Sequence, residues 1–209
     1  MENVVLFGDS IFDNAAYTFG DLAVIDQLRL ALPPKSTATL LAVDGHTTRD
    51  VITQIQRLPA NASHLVLSIG GNDALDQEAI LAARVGTVIQ ALDKLSALAG
   101  EFQNDDKSLI VRFQSLGRPL LLSTIYDHVP GLPGGLKTAL ALFNDVILRV
   151  AMEQGLPVLD LRMICKAPAD YSVKSPIEPS SQGGAKIAAV IANALVAHDF
   201  GFKGCRVYV

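Results

Sequence analysis

The sequence has little charge and little cysteine, and it has no cluster of positive residues, no long apolar run and no glycine-rich phosphate loop. Only 18% of the residues are charged, and a formal net charge of -4 is spread along the chain. Without a Lys/Arg cluster to neutralise phosphates, nucleic acid is not an expected partner. No apolar run reaches the roughly 18 residues of a membrane-spanning helix, so no membrane span is expected. The lack of a GxGxxG fingerprint leaves a flavodoxin-like nucleotide binder without support. Cys165 and Cys205 show no metal-ligand spacing; two free thiols and no metal or other cofactor are the expectation. Met1, Glu2 and Asn3 lead into an apolar run with no basic n-region or small-residue cleavage site. That pattern predicts a cytoplasmic protein.

What is present is a hydrophobic half of the composition in 209 residues. A chain of this length buries roughly 70% of its unfolded surface and fits one domain, expected here over residues 1–209. No repeat or linker argues for a second domain. Short β-branched and aromatic runs at 3–7, 39–43, 64–69, 119–125 and 157–160 read as five strands. Helical spacing intervenes between them. Leu22, Ile25, Leu28 and Leu32 recur until Pro33-Pro34 ends the pattern. Thr47 stands three residues before Asp50 as a cap for a helix carrying Val51, Ile52, Ile55 and Leu58. A long crossover from about 77 to 116 places Leu81, Val85, Val88, Leu92, Leu95 and Leu98 on one side, with a break expected around Gly100 to Asp106. A further stripe runs from Leu136 to Val150, and a last helix passes through Ile187, Val190, Ile191 and Leu195 after a polar loop at 166–182.

Strands alternating with helices predict an α/β fold in which a parallel sheet is covered on both faces. Ligands of such folds bind outside the carboxyl ends of the strands. Three successive strand ends carry small or polar residues there: Gly8-Asp9-Ser10, Gly45-His46-Thr47-Thr48 and Gly70-Gly71-Asn72-Asp73. Singly, each reads as a turn. Together they fit one acyl-transfer pocket, because attack of a serine hydroxyl on an ester creates an oxyanion that needs preorganised donors. The backbone N–H groups of Ser10 and Gly45 and the side-chain amide of Asn72 are the candidate donors.

These blocks resemble the SGNH hydrolase superfamily, the GDSL lipases and esterases. Gly8-Asp9-Ser10-Ile11-Phe12-Asp13-Asn14 resembles its first block, Gly45-His46-Thr47-Thr48 its second, and Ile69-Gly70-Gly71-Asn72-Asp73 its third, in family order. The resemblance implies a three-layer α/β/α sandwich with a five-stranded parallel sheet in flavodoxin-like order. It implies Ser10 as nucleophile, an oxyanion hole of Ser10, Gly45 and Asn72, and Asp9, Asp13 and Asp73 as scaffolding acids. The family's last block, Asp-x-x-His-Pro, is altered. The chain reads Ser175-Pro176-Ile177-Glu178-Pro179 there, with Glu178 in the histidine's place and Ser175 in the aspartate's.

Three readings follow from that substitution. Glu178 acts as the general base on Ser10, its pKa raised by burial; or His128, after the fourth strand, or His46 takes the role; or the chain is a non-catalytic relative that binds an acyl or sugar ligand. Glu178 also reads as an acid placed near the start of the last helix, where negative charge is favoured. His64 and His198 read as structural, and Tyr171 and Lys174 as residues of the mouth. The expectation is a serine-dependent hydrolase of carboxylic esters, with catalytic residues Ser10, Gly45, Asn72 and Glu178. Its partner is a small-molecule ester, and its default oligomeric state is a monomer.

Overall fold

A computed structural model of the chain describes residues 2–209. Its centre is a single parallel sheet of six strands, β1 (Asn3–Gly8), β2 (Thr37–Leu40), β3 (His64–Ser68), β4 (Leu120–Ser123), β5 (Val158–Leu159) and β6 (Val207–Tyr208), in the order β2-β1-β3-β4-β5-β6. The first five follow the flavodoxin-like order expected. The sixth strand corrects the five-strand expectation. It pairs only Val207 and Tyr208 with Val158 and Leu159, and two residues are too few to produce a readable alternation.

The strands are apolar on both sides because helices cover both faces. Side chains alternate across the sheet, and the core divides accordingly. Val4, Leu6, Val66 and Leu121 point into one layer, beneath α1 (Val24–Ala31), α6 (Leu161–Ile164) and α7 (Ser181–Ala197). Val5, Phe7, Leu65, Leu67, Leu120 and Leu122 point into the other, beneath α2 (Val51–Ile55), α4 (Val88–Ser115) and α5 (Gly134–Gln154). The short α3 (Gly71–Asp76) follows β3 directly, at the carboxyl edge of the sheet.

Three helix expectations are revised. The stretch after residue 77 is not one helix: a single 3-10 turn at Glu78–Ala82 precedes α4, which starts where the Thr87 side chain accepts a hydrogen bond from the Gln90 N–H. Nor does α4 break at Gly100. The buried stripe Phe102, Leu109, Ile110 and Phe113 holds the helix through that region, and tertiary packing overrides a glycine cost of about 1 kcal/mol. Thr47 does not cap α2; its N–H and hydroxyl donate to Asp50 instead. Cys165 and Cys205 are both free. Among the described residues no helix is long and apolar enough to cross a membrane.

Candidate active site

Ser10 lies in the turn that ends β1, and two residues earlier the backbone admits only glycine. Gly8 has φ +130°, and a Cβ on it would fall 1.7 Å from the Ser68 carbonyl oxygen of β3. Gln54 of α2 clamps the same peptide, accepting from the Gly8 N–H at 2.9 Å and donating to the Gly8 carbonyl at 2.7 Å. Asp9 then folds the turn: its carboxylate accepts from the Ile11 N–H at 3.1 Å, and its carbonyl from the N–H groups of Phe12 and Asp13. Ser10 is held 7% exposed, and its own N–H donates to no described residue.

Asn72 sits in the first turn of α3 and lines the same cavity as Ser10. One hydrogen of its amide goes to the His46 carbonyl at 2.9 Å, which ties the loop after β2 to α3 and leaves the second amide hydrogen uncommitted. Asp73 strengthens that tie by accepting from the N–H and hydroxyl of Thr48, and Asp13 holds the same loop through the Asp44 N–H. Gly45 is placed differently from Ser10 and Asn72. It occupies an exposed turn with φ +82°, and it is not part of the cavity wall, although its N–H is also without an acceptor.

Glu178 comes from the loop before α7, which is fastened on all sides. Asn14 donates to the Pro179 carbonyl and accepts from the Val24 N–H; the Tyr126 hydroxyl donates to the Ile177 carbonyl; Ser172 N–H donates to the Glu178 carbonyl at 2.8 Å. The result is a carboxylic acid only 5% exposed in the wall beside Ser10, with Oε2 unpartnered. Burial pushes its pKa up to about 7, and the charge of Asp44 adds to the rise. The polar Ser10 side chain pulls the other way. Asp9 is pushed further, to about 8, by burial first and then by the charges of Glu178 and Asp73, against the pull of its bond from Ile11.

The histidines stand apart. His46 lies outside the cavity wall, and its Nδ1 accepts from the Gln54 amide at 3.0 Å, so in the neutral ring the proton sits on Nε2. His128 is exposed and pairs through Nδ1 with Asp127 at 2.8 Å. His64 bonds Ser63, and His198 bonds Tyr208; burial lowers the pKa of both. Lys174 donates to the Ala16 carbonyl over the Tyr17 ring, and Tyr171 is buried with its hydroxyl on the Cys165 carbonyl, so neither lines this cavity.

The cavity measures about 140 Å³. Asp9, Ser10, Asn72 and Glu178 form its polar end, and the rest is mostly apolar, with Leu95 and Leu98 of α4 and Leu136 and Leu140 of α5 among its walls. Sequence reasoning missed the residues that position these groups: Gln54 and Asn14, Tyr126, and Asn144, whose amide clamps both backbone groups of Ile125 at the end of β4. Asn14 and Tyr126 were accessible in principle, one inside the first block and the other at a strand end. Gln54 and Asn144 carry no sequence signal, because each acts from a helix face by long-range contact.

A family model for the GDSL-like lipase/acylhydrolase family matches residues 6–186. No curated protein gives a significant match. Solved structures are similar over nearly their whole length. A lipase/acylhydrolase from Enterococcus faecalis is 22% identical with a TM-score of 0.63, covering 93% of this chain and 95% of its own. A phospholipase A1 from Streptomyces albidoflavus is 17% identical with a TM-score of 0.67, covering 92% and 98%. An acetyl xylan esterase from Geobacillus stearothermophilus, solved as a W215I variant, is 18% identical with a TM-score of 0.63, covering 98% and 97%. Identities this low establish a common fold. The family match extends over most of the sequence and takes in all three strand-end blocks and the loop of Glu178, so the chain belongs to the GDSL-like lipase/acylhydrolase family.

Proposed function

We propose that this protein is a serine-dependent hydrolase of carboxylic esters in which Glu178 takes the part that histidine plays in the SGNH pattern. Ester hydrolysis in general is what the family carries. The observation that supports the finer reading is the placement of a buried carboxyl, raised to about 7, in the same cavity wall as Ser10, while His46 and His128 lie outside it.

In the first step Ser10 Oγ attacks the ester carbonyl carbon and its proton passes to the Glu178 carboxylate. The electron pair of the carbonyl moves to oxygen. The Ser10 N–H and the free hydrogen of Asn72 are the donors that meet this oxyanion, with Gly45 supplying a third if its turn closes on a bound substrate. On collapse the alkoxide leaves with the proton from Glu178. Water then attacks the acyl-serine, giving its proton to Glu178, and Ser10 departs with that proton as the acid is released.

A carboxyl with an ordinary pKa is a poor base for a hydroxyl at neutral pH. Raising it to about 7 brings it near the value of an imidazole, which is the range in which general bases work best. Burial raises Asp9 as well, to about 8, which favours its neutral form beside the Glu178 carboxylate. The reading is tested by turnover of a p-nitrophenyl ester series by wild type and Ser10→Ala, together with labelling of Ser10 by a fluorophosphonate. The loss of histidine favours a second reading, an inert pocket that binds an acyl or sugar ligand; there Ser10 stays unlabelled and no ester turns over.

A further inference from the structure

The amphipathic pattern of α4 and its burial disagree. Leu92, Leu95 and Leu98 continue the apolar face of the helix, yet every buried residue of α4 lies at Phe102 or beyond. The same holds for α5, whose buried residues begin at Phe143 although Leu136, Ala139 and Leu140 precede it on that face. The two helices meet where the rings of Phe102 and Phe143 pack at 4.9 Å between centroids. From there toward their N-termini Leu95 and Leu98 of α4 and Leu136, Ala139 and Leu140 of α5 line a cavity. The space between them is the apolar part of the cavity whose polar end holds Ser10 and Glu178.

We propose that this cleft holds the acyl chain of the substrate, and that the enzyme prefers medium-chain and longer acyl esters over acetyl esters. The inference rests on Ser10-dependent ester hydrolysis and assigns its acyl specificity. The seven-residue step from Leu136 to Phe143 rises about 10 Å along α5, the extended length of a medium-chain acyl group. The walls that α4 and α5 contribute carry no charge and no hydrogen-bonding side chain; away from the catalytic end the charged and amide side chains of the lining are Gln77 and Glu78, both exposed, from the segment before α4. An acetyl group would leave these leucines facing water, whereas a hydrocarbon chain removes their surface from it. Chain length has no abrupt ceiling, because the cavity opens past Leu75 and Leu81, themselves 45% and 43% exposed.

The test compares p-nitrophenyl acetate, butyrate, octanoate and palmitate with wild type, Ala139→Trp and Leu98→Trp, with thermal melts confirming that both variants fold. In wild type, kcat/KM for octanoate should exceed that for acetate by at least roughly tenfold, a modest part of what burying six more methylenes provides. Each tryptophan should lower the octanoate-to-acetate ratio within the same protein by a further tenfold or more. A wild-type preference for acetate, or ratios unmoved by both tryptophans, would overturn the acyl assignment while leaving Ser10-dependent hydrolysis standing. Displacement of a bound fluorescent fatty acid by octanoate reads the cleft without turnover. Should no ester be hydrolysed, displacement by octanoate that is lost in Ala139→Trp supports the acyl cleft, and no binding by wild type overturns it.

Discussion

Ser10 and Glu178 share one wall of the cavity, where burial holds the Glu178 carboxyl up to about 7 against the opposing pull of the Ser10 hydroxyl. The two come from opposite ends of the chain. Asn14, four residues after Ser10, joins them by donating to Pro179, the residue after Glu178. The nucleophile turn and the base loop are therefore one hydrogen-bonded unit.

Ser10→Ala should abolish esterase turnover and fluorophosphonate labelling while leaving the melting temperature within about 1–2 °C of wild type, because the lost hydroxyl fills no core position. Activity that persists in Ser10→Ala would move the nucleophile elsewhere.

Asn72→Ala removes one oxyanion donor together with the bond to the His46 carbonyl. It should lower kcat by roughly 10²–10³-fold with a much smaller effect on KM, the signature of a contact made in the transition state. A rise in KM at unchanged kcat would instead make Asn72 a substrate-binding residue.

Asp106 tests the electrostatics of the fold away from the site. It is buried on α4 with Oδ2 unpartnered, and burial, helped by the charge of Asp73, pushes its pKa up to about 7. The folded chain therefore keeps a proton that the unfolded chain loses near the ordinary carboxylate value. The stability this provides is complete below about pH 4 and is lost as the pH rises through 7. Asp106→Asn should melt close to wild type at pH 4 to 5 and be more stable at pH 9 by on the order of 2 kcal/mol. Equal stability at both pH values would show that Asp106 titrates normally.

The sequence was most readable where one period dominated. Continuous apolar runs marked β1, β3 and β4 because both of their faces are buried. Periodicity misled over residues 78–98, where Leu92, Leu95 and Leu98 look like core, but Leu95 and Leu98 line a cleft and Leu92 is exposed. Apolar spacing reports which side chains share a face, not whether protein covers it. Gly100 looked like a break because its propensity was read without the packing of Phe102. At the site, strand-end logic placed Ser10 and Asn72 together, and the family pattern added Glu178. The same logic did not place Gly45, because its loop is positioned by side-chain ties from Asn72 and Asp73 that no local pattern reveals.

Whether Glu178 is the base for Ser10 is read from the pH dependence of kcat/KM in wild type and Glu178→Gln. Because the group's pKa is raised, the carboxylate is absent at low pH, so the wild-type rate should climb with pH and level off above about 7. That limb alone does not separate Glu178 from a histidine of ordinary pKa, roughly 6.5. Glu178→Gln should lower the rate by at least ~100-fold and abolish the limb, while His46→Ala and His128→Ala retain it. Near-normal activity in Glu178→Gln, with a limb that disappears in either histidine variant, would contradict the account and assign the base to that histidine.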